Sequence, residues 1–130
     1  GGNPVSCAAA MAVLEEIEAQ QLQANAARIG KLAHERLSEL AAKYDIIGDV
    51  RQAGMVFGCE YVLDRDTKEP AVEYTDRIIN AMRHEGIILS KLGRHKNTLK
   101  IRPPMPFSEA NLDQLVTTLD KVMSETPVRA

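Results

Sequence analysis

The sequence has 130 residues, of which 45% are apolar and 26% charged, the profile of one folded domain with enough apolar material for a single core. A net charge of −2, 4% aromatic residues and no Trp exclude the basic surfaces and stacking platforms that nucleic-acid binding uses. No apolar run approaches the ~18 residues of a spanning helix and no signal-peptide pattern opens the chain, so the expectation is a cytoplasmic protein without membrane partners.

Gly1-Gly2-Asn3-Pro4 reads as a turn, with Asn3 able to cap a helix and Pro4 suited to its first position. Val5 to Glu18 follows as helix, its stripe made by Val5, Ala8, Ala9, Ala12, Val13 and Ile17, and its small residues predict close packing against another surface. The chain lacks an initiator Met and enters a helix almost at once, so a piece of a longer protein is the expectation. Ala19-Gln20-Gln21 marks a break, and a second helix runs from Leu22 to about Lys43. Tyr44 to Asp49 is a connector. Val50 to Leu63 is the clearest β-rich run, centred on Met55 to Val62, with Gly54 and Gly58 allowing a bulge or a close backbone approach.

Asp64 to Pro70 is a charged turn. Glu73 to His84 reads as a third helix stopped by Gly86, with Ile78, Ile79 and Met82 inward. Ile87 to Ser90 is expected as a short buried strand, Lys91 to Lys96 as a basic loop, and Thr98 to Ile101 as a strand of alternating polarity. Pro103 and Pro104 end that strand, Ser108 stands at an N-cap with Asn111 three residues on, and Glu109 to Ser124 is the last helix. Thr126 to Ala130 should fray. The fold class is therefore α+β: a small, mostly antiparallel sheet of three to four strands covered by helices, preceded by a long helical segment over 1–43, with the core over 44–130.

No complete catalytic constellation appears. Ser6, Ser38, Ser90, Ser108 and Ser124 lack a nucleophile-elbow context, and His34, His84 and His95 share no metal-ligand spacing. Cys7 and Cys59 sit in apolar stretches and read as small reduced core residues. What stands out is Lys100 and Arg102, two cations on one face of a strand that runs into a stiff proline corner. Such a pair could grip an anion. Spacing alone favours the plainer role of coating the solvent face of a sheet.

Three segments carry a family resemblance. Gly1-Gly2-Asn3-Pro4-Val5-Ser6-Cys7-Ala8-Ala9-Ala10 resembles the opening GGNP motif of class III pyridoxal-phosphate aminotransferases. Val50-Arg51-Gln52-Ala53-Gly54-Met55 is similar to their V-R-G-x-G-L entry, with Gln52 in place of the usual glycine. Leu99-Lys100-Ile101-Arg102-Pro103-Pro104-Met105 resembles their L-R-I-x-P-P-L segment, and the region around it is similar to a subgroup with ethanolamine-phosphate phospho-lyases and alanine–glyoxylate aminotransferase-like proteins.

The resemblance implies the C-terminal small domain of a homodimeric fold-type-I enzyme. Its Schiff-base lysine and other pyridoxal-phosphate contacts would lie upstream, so this chain alone is expected to be inactive. The implied partners are an amino donor and a 2-oxo acid acceptor. Lys100 stands where many members carry an arginine for the substrate carboxylate, and it is the one substrate-binding residue implied here. A compact ammonium in place of a bidentate guanidinium puts the ordinary carboxylate contact in doubt without settling the reaction type. The subgroup similarity keeps a phospho-lyase acting on a phosphorylated amino alcohol as one alternative, and a stand-alone interaction domain without catalysis is another.

Overall fold

The structure, a computed structural model, describes residues 2–128; Gly1 of the expected opening turn and Arg129-Ala130 of the expected frayed tail lie outside the described residues. The elements follow in the order α1 (Pro4–Ala19), α2 (Leu22–Lys43), β1 (Ile47–Ala53), β2 (Val56–Tyr61), α3 (Val72–His84), β3 (Ser90–Leu92), β4 (Thr98–Ile101) and α4 (Glu109–Glu125). The strands form one sheet ordered β1-β2-β4-β3, antiparallel throughout. This is the expected α+β arrangement at its four-strand limit.

The helix ends follow the capping chemistry in the sequence. Asn3 Oδ1 accepts the Ser6 N–H at 3.0 Å with Pro4 in the first turn, and Ser108 and Asn111 close a reciprocal capping box. Gly86, at φ 83°, ends α3, and the Ile87 N–H reaches back to the Met82 carbonyl at 2.9 Å. Gln21, left-handed at φ 50°, makes the break between α1 and α2.

Three expectations are corrected. The run from Val50 to Leu63 is not one strand but a hairpin whose first arm begins at Ile47, inside the expected connector. Gly54-Met55 forms its two-residue turn, with Gly54 at φ 54° and Ala53 paired with Val56. An apolar run continues across this turn, so periodicity alone does not reveal it. The irregular register also falls elsewhere, between Ile47 and Asp49, where a Cβ on Gly48 would stand 2.7 Å from Val62. The third strand begins where the expected buried strand was to end: Ile88 is 88% exposed, because the chain is still leaving the α3 cap and reaches the sheet only at Ser90.

The core lies on one side of the sheet. Phe57, Cys59 and Tyr61 of β2 and Leu99 and Ile101 of β4 meet Ile29, Ala33 and Leu37 of α2, Ile78 and Met82 of α3, and Leu112, Leu115 and Leu119 of α4. Tyr61 and Tyr74 pack edge to face with ring centroids 5.3 Å apart. Helix α1 takes no part: none of its residues is buried, and Val5, Met11, Val13 and Leu14 are all more than half exposed. Cys7 lies on this helix and is exposed, which corrects its assignment to the core; Cys59 is fully buried.

Gly30 marks where α2 meets the hairpin. A Cβ there would stand 2.3 Å from the Gly54 carbonyl oxygen and 2.3 Å from Gln52 Nε2. Gly30→Ala is therefore expected to destabilise by about 2–4 kcal/mol in urea unfolding, although alanine is by ~1 kcal/mol the better helix former.

The two thiols should also separate. Burial pushes the Cys59 thiol from 9.0 up to about 12. Native protein is expected to consume one equivalent of a thiol reagent, at Cys7, and a second only on unfolding. Because the folded state holds the Cys59 proton more tightly, that contribution to stability is complete below pH 9.0 and lost as pH rises toward about 12.

Candidate functional site

The sheet face opposite the core carries no helix among the described residues, and its polar row crosses all four strands. Antiparallel register aligns Arg51 with Gly58, Gly58 with Lys100, and Lys100 with Ser90. These residues point to one side, because directly paired positions share a face. Lys100 thus stands near the middle of the row, half-buried, with Gly58, packed against Thr98, on one flank and the exposed Ser90 on the other.

Three cations lie within the strands: Arg51, Lys91 and Lys100. Arg51 is held by Asp49 at 2.9 Å and by Glu60, and Lys91, on the helix-covered face, is held by Asp76 of α3. Lys100 makes no ion pair with any described residue. Glu60, its diagonal neighbour on β2, is already engaged by Arg51, so a net positive charge remains at the strand end that carries Lys100. Arg102 follows on the same face, exposed and likewise without an ion pair among the described residues.

Beside them opens a cavity of about 660 Å³ where β4 enters the proline corner. Ser90, Lys100 and Arg102, with Asn111 and Gln114 of α4, supply its polar wall, and Leu89, Pro104 and Phe107 are part of its apolar one. An ammonium and a guanidinium over an apolar floor can bind the anionic end of a small molecule whose remainder is not charged. The basic loop before β4 is anchored at its C-terminal end. Buried Asn97 donates through Nδ2 to the Tyr61 carbonyl at 2.8 Å and accepts the Tyr61 N–H at 2.8 Å, which fixes the start of β4 against β2.

Sequence reasoning singled out Lys100 and Arg102, and the structure brings both to this cavity. Gly58 was expected only as a bulge or close-approach position and Ser90 had no site role, since only register reveals that they flank Lys100. Among the described residues no group of three His, Cys, Asp or Glu side chains could hold a metal ion, and no helix is long and apolar enough to cross a membrane.

Comparison with known proteins adds a second line of observation. Residues 1–123 match the family model for aminotransferase class-III. An Arabidopsis thaliana protein named alanine–glyoxylate aminotransferase 2 homolog 2, mitochondrial, is 42% identical over 125 residues, which cover 96% of this chain and 26% of that protein. The ethanolamine-phosphate phospho-lyase homolog 1 of Caenorhabditis elegans is 38% identical over 125 residues, covering 95% and 27%. Among solved structures, an Arthrobacter phospholyase in complex with phosphoethanolamine superposes with a TM-score of 0.92 at 36% identity, over 97% of this chain and 30% of that one. A Bacillus anthracis aminotransferase superposes with a TM-score of 0.88 at 32% identity, over 96% and 29%. The chain thus spans between about a quarter and a third of the length of these relatives.

Proposed function

The chain belongs to the class III aminotransferase family, and on that premise we propose that it is the C-terminal domain of a longer, homodimeric pyridoxal-phosphate enzyme that moves an amino group between an amino donor and a 2-oxo acid. In this reading residues 1–43 connect the domain to the rest of the enzyme and residues 44–130 form the substrate-facing unit. The exposed apolar residues of α1 support such a connection, since a helix of this composition gains by being covered.

In this reading none of the lysines present is the Schiff-base lysine. Lys43, Lys91 and Lys121 are ion-paired to Asp120, Asp76 and Glu85, and Lys31, Lys68 and Lys96 are exposed. The cofactor is therefore assigned to the remainder of the enzyme, the chain alone is expected to be inactive, and no chemical step is assigned to its residues. A cytosolic setting fits the two free thiols, which a reducing compartment maintains.

The observation that carries the proposal is Lys100, the strand cation left without an ion-pair partner among the described residues, at the lip of a cavity with an apolar floor. Its role is to hold the anionic end of the substrate while the uncharged part lies along the apolar wall. A carboxylate fits the transaminase reading. A phosphate monoester fits a second one, a phospho-lyase on a phosphorylated amino alcohol, which is favoured by the compact ammonium and by the relatives named for that activity.

Full-length enzyme offered phosphoethanolamine, and separately an amino acid with a 2-oxo acid, should release inorganic phosphate in the first case or transfer nitrogen in the second. Absence of both activities overturns the proposal. Lys100→Ala is expected to raise KM for the active substrate by about 10-fold or more, with a smaller change in kcat. An unchanged KM in steady-state kinetics removes Lys100 from the substrate contact.

A further inference from the structure

We propose that Asn25 is a positioning residue for substrate binding, holding the proline corner that carries the Lys100 end of β4 against the cavity; this rests on the reading of Lys100 as the anion contact. Asn25 lies in the first turn of α2, 75 positions before Lys100. Its Nδ2 donates to the carbonyl of Met105 at 2.8 Å and to that of Phe107 at 3.1 Å. Its Oδ1 accepts from Arg28 Nη2 at 3.2 Å. That last bond sets the orientation of the carboxamide: a guanidinium only donates, so the oxygen faces Arg28 and both amide hydrogens face the corner.

The corner has few bonding resources of its own. Pro103, Pro104 and Pro106 lack N–H groups, and the Phe107 N–H is used within the turn, on the Pro104 carbonyl at 3.0 Å. The carbonyls of Met105 and Phe107 thus take their side-chain donors from a different element. One side chain ties down two points on either side of Pro106. The locked φ of Pro103 and Pro104 passes that placement back along only a few residues to Arg102 and Lys100. On the other side Arg28, which orients Asn25, pairs with Glu109 in the first turn of α4 at 3.4 Å. Asn25 therefore joins α2, the corner and the start of α4 at one point. Sub-ångström displacement of a gripping group is enough to weaken substrate binding, so losing this tether should be read in KM.

The test uses the full-length enzyme with Asn25→Ala, Asn25→Asp, Lys100→Ala and the double variant N25A/K100A. The aspartate is isosteric but sets a carboxylate against two carbonyls, so it keeps the shape and removes the donors. N25A is expected to raise KM for the amino substrate about 5- to 10-fold with kcat within about twofold, and N25D at least as much. In the K100A background N25A should add less than about twofold, since both changes act on one contact. A lower melting temperature with unchanged KM in both Asn25 variants would make the tether merely structural and overturn the inference. Full multiplication of the two effects in the double variant overturns it as well. The underlying reading fails in a different way: K100A alone leaves KM unchanged, and both ideas then fall together.

Discussion

Helix α2 approaches the β1–β2 turn so closely that position 30 has no room for a side chain, and most of the remaining arrangement follows from that contact. With Gly30 against the Gly54 carbonyl, the apolar line Ile29, Ala33, Leu37 and Leu40 lies flat on one face of the hairpin. Helix α4 then runs beside α2 in the same direction, with Arg28 and Arg36 meeting Glu109, Arg36 meeting Asp113, and Lys43 and Tyr44 meeting Asp120. The Lys43 ammonium and the Tyr44 hydroxyl beside Asp120 hold its carboxyl below the usual range. These pairs are largely exposed and contribute little stability each. Their order along both helices instead specifies how far α4 has advanced along α2.

Once three helices occupy one face, the other is left to polar side chains, and the charges on it sort themselves by register. Arg51 and Glu60 satisfy each other across β1 and β2. Lys91, on the helix side, finds Asp76 of α3. Lys100 has Gly58 and Ser90 as its cross-strand neighbours, and neither can neutralise it. An ammonium that has no ion-pair partner among the described residues and opens on the cavity is free to meet an incoming anion, which is the physical content of the binding role proposed for this position.

The helices were legible in the sequence because their caps are local. Asn3, Ser108 with Asn111, and Gly86 each act within one turn of the chain, and all the helix boundaries lie within one residue of the expected ones. The strands were less legible. Periodicity indicates that a segment is extended but not where it reverses, so the Gly54-Met55 turn disappeared into one long run. Ile87-Ile88-Leu89 is apolar enough for a buried strand, yet Ile88 faces outward, because burial depends on what the neighbouring elements leave room to cover. The candidate site divides in the same way. Lys100 and Arg102 were visible from their alternation in one strand, and the family resemblance named Lys100; its flanking residues come from β2 and β3 and have no local signature.

The sequence by itself determined the family, the α+β class, the helix limits and the proximity of two cations to a proline corner, since each is encoded in residues a few positions apart. Only the tertiary structure decided that, among the described residues, Arg51 and Lys91 find ion-pair partners while Lys100 does not, that Cys59 is enclosed and Cys7 open, and that Asn25 holds a corner some 80 residues away. Those outcomes depend on strand register and on the depth to which α2 settles on the hairpin. Both are properties of packing between distant segments, which no stretch of chain specifies alone.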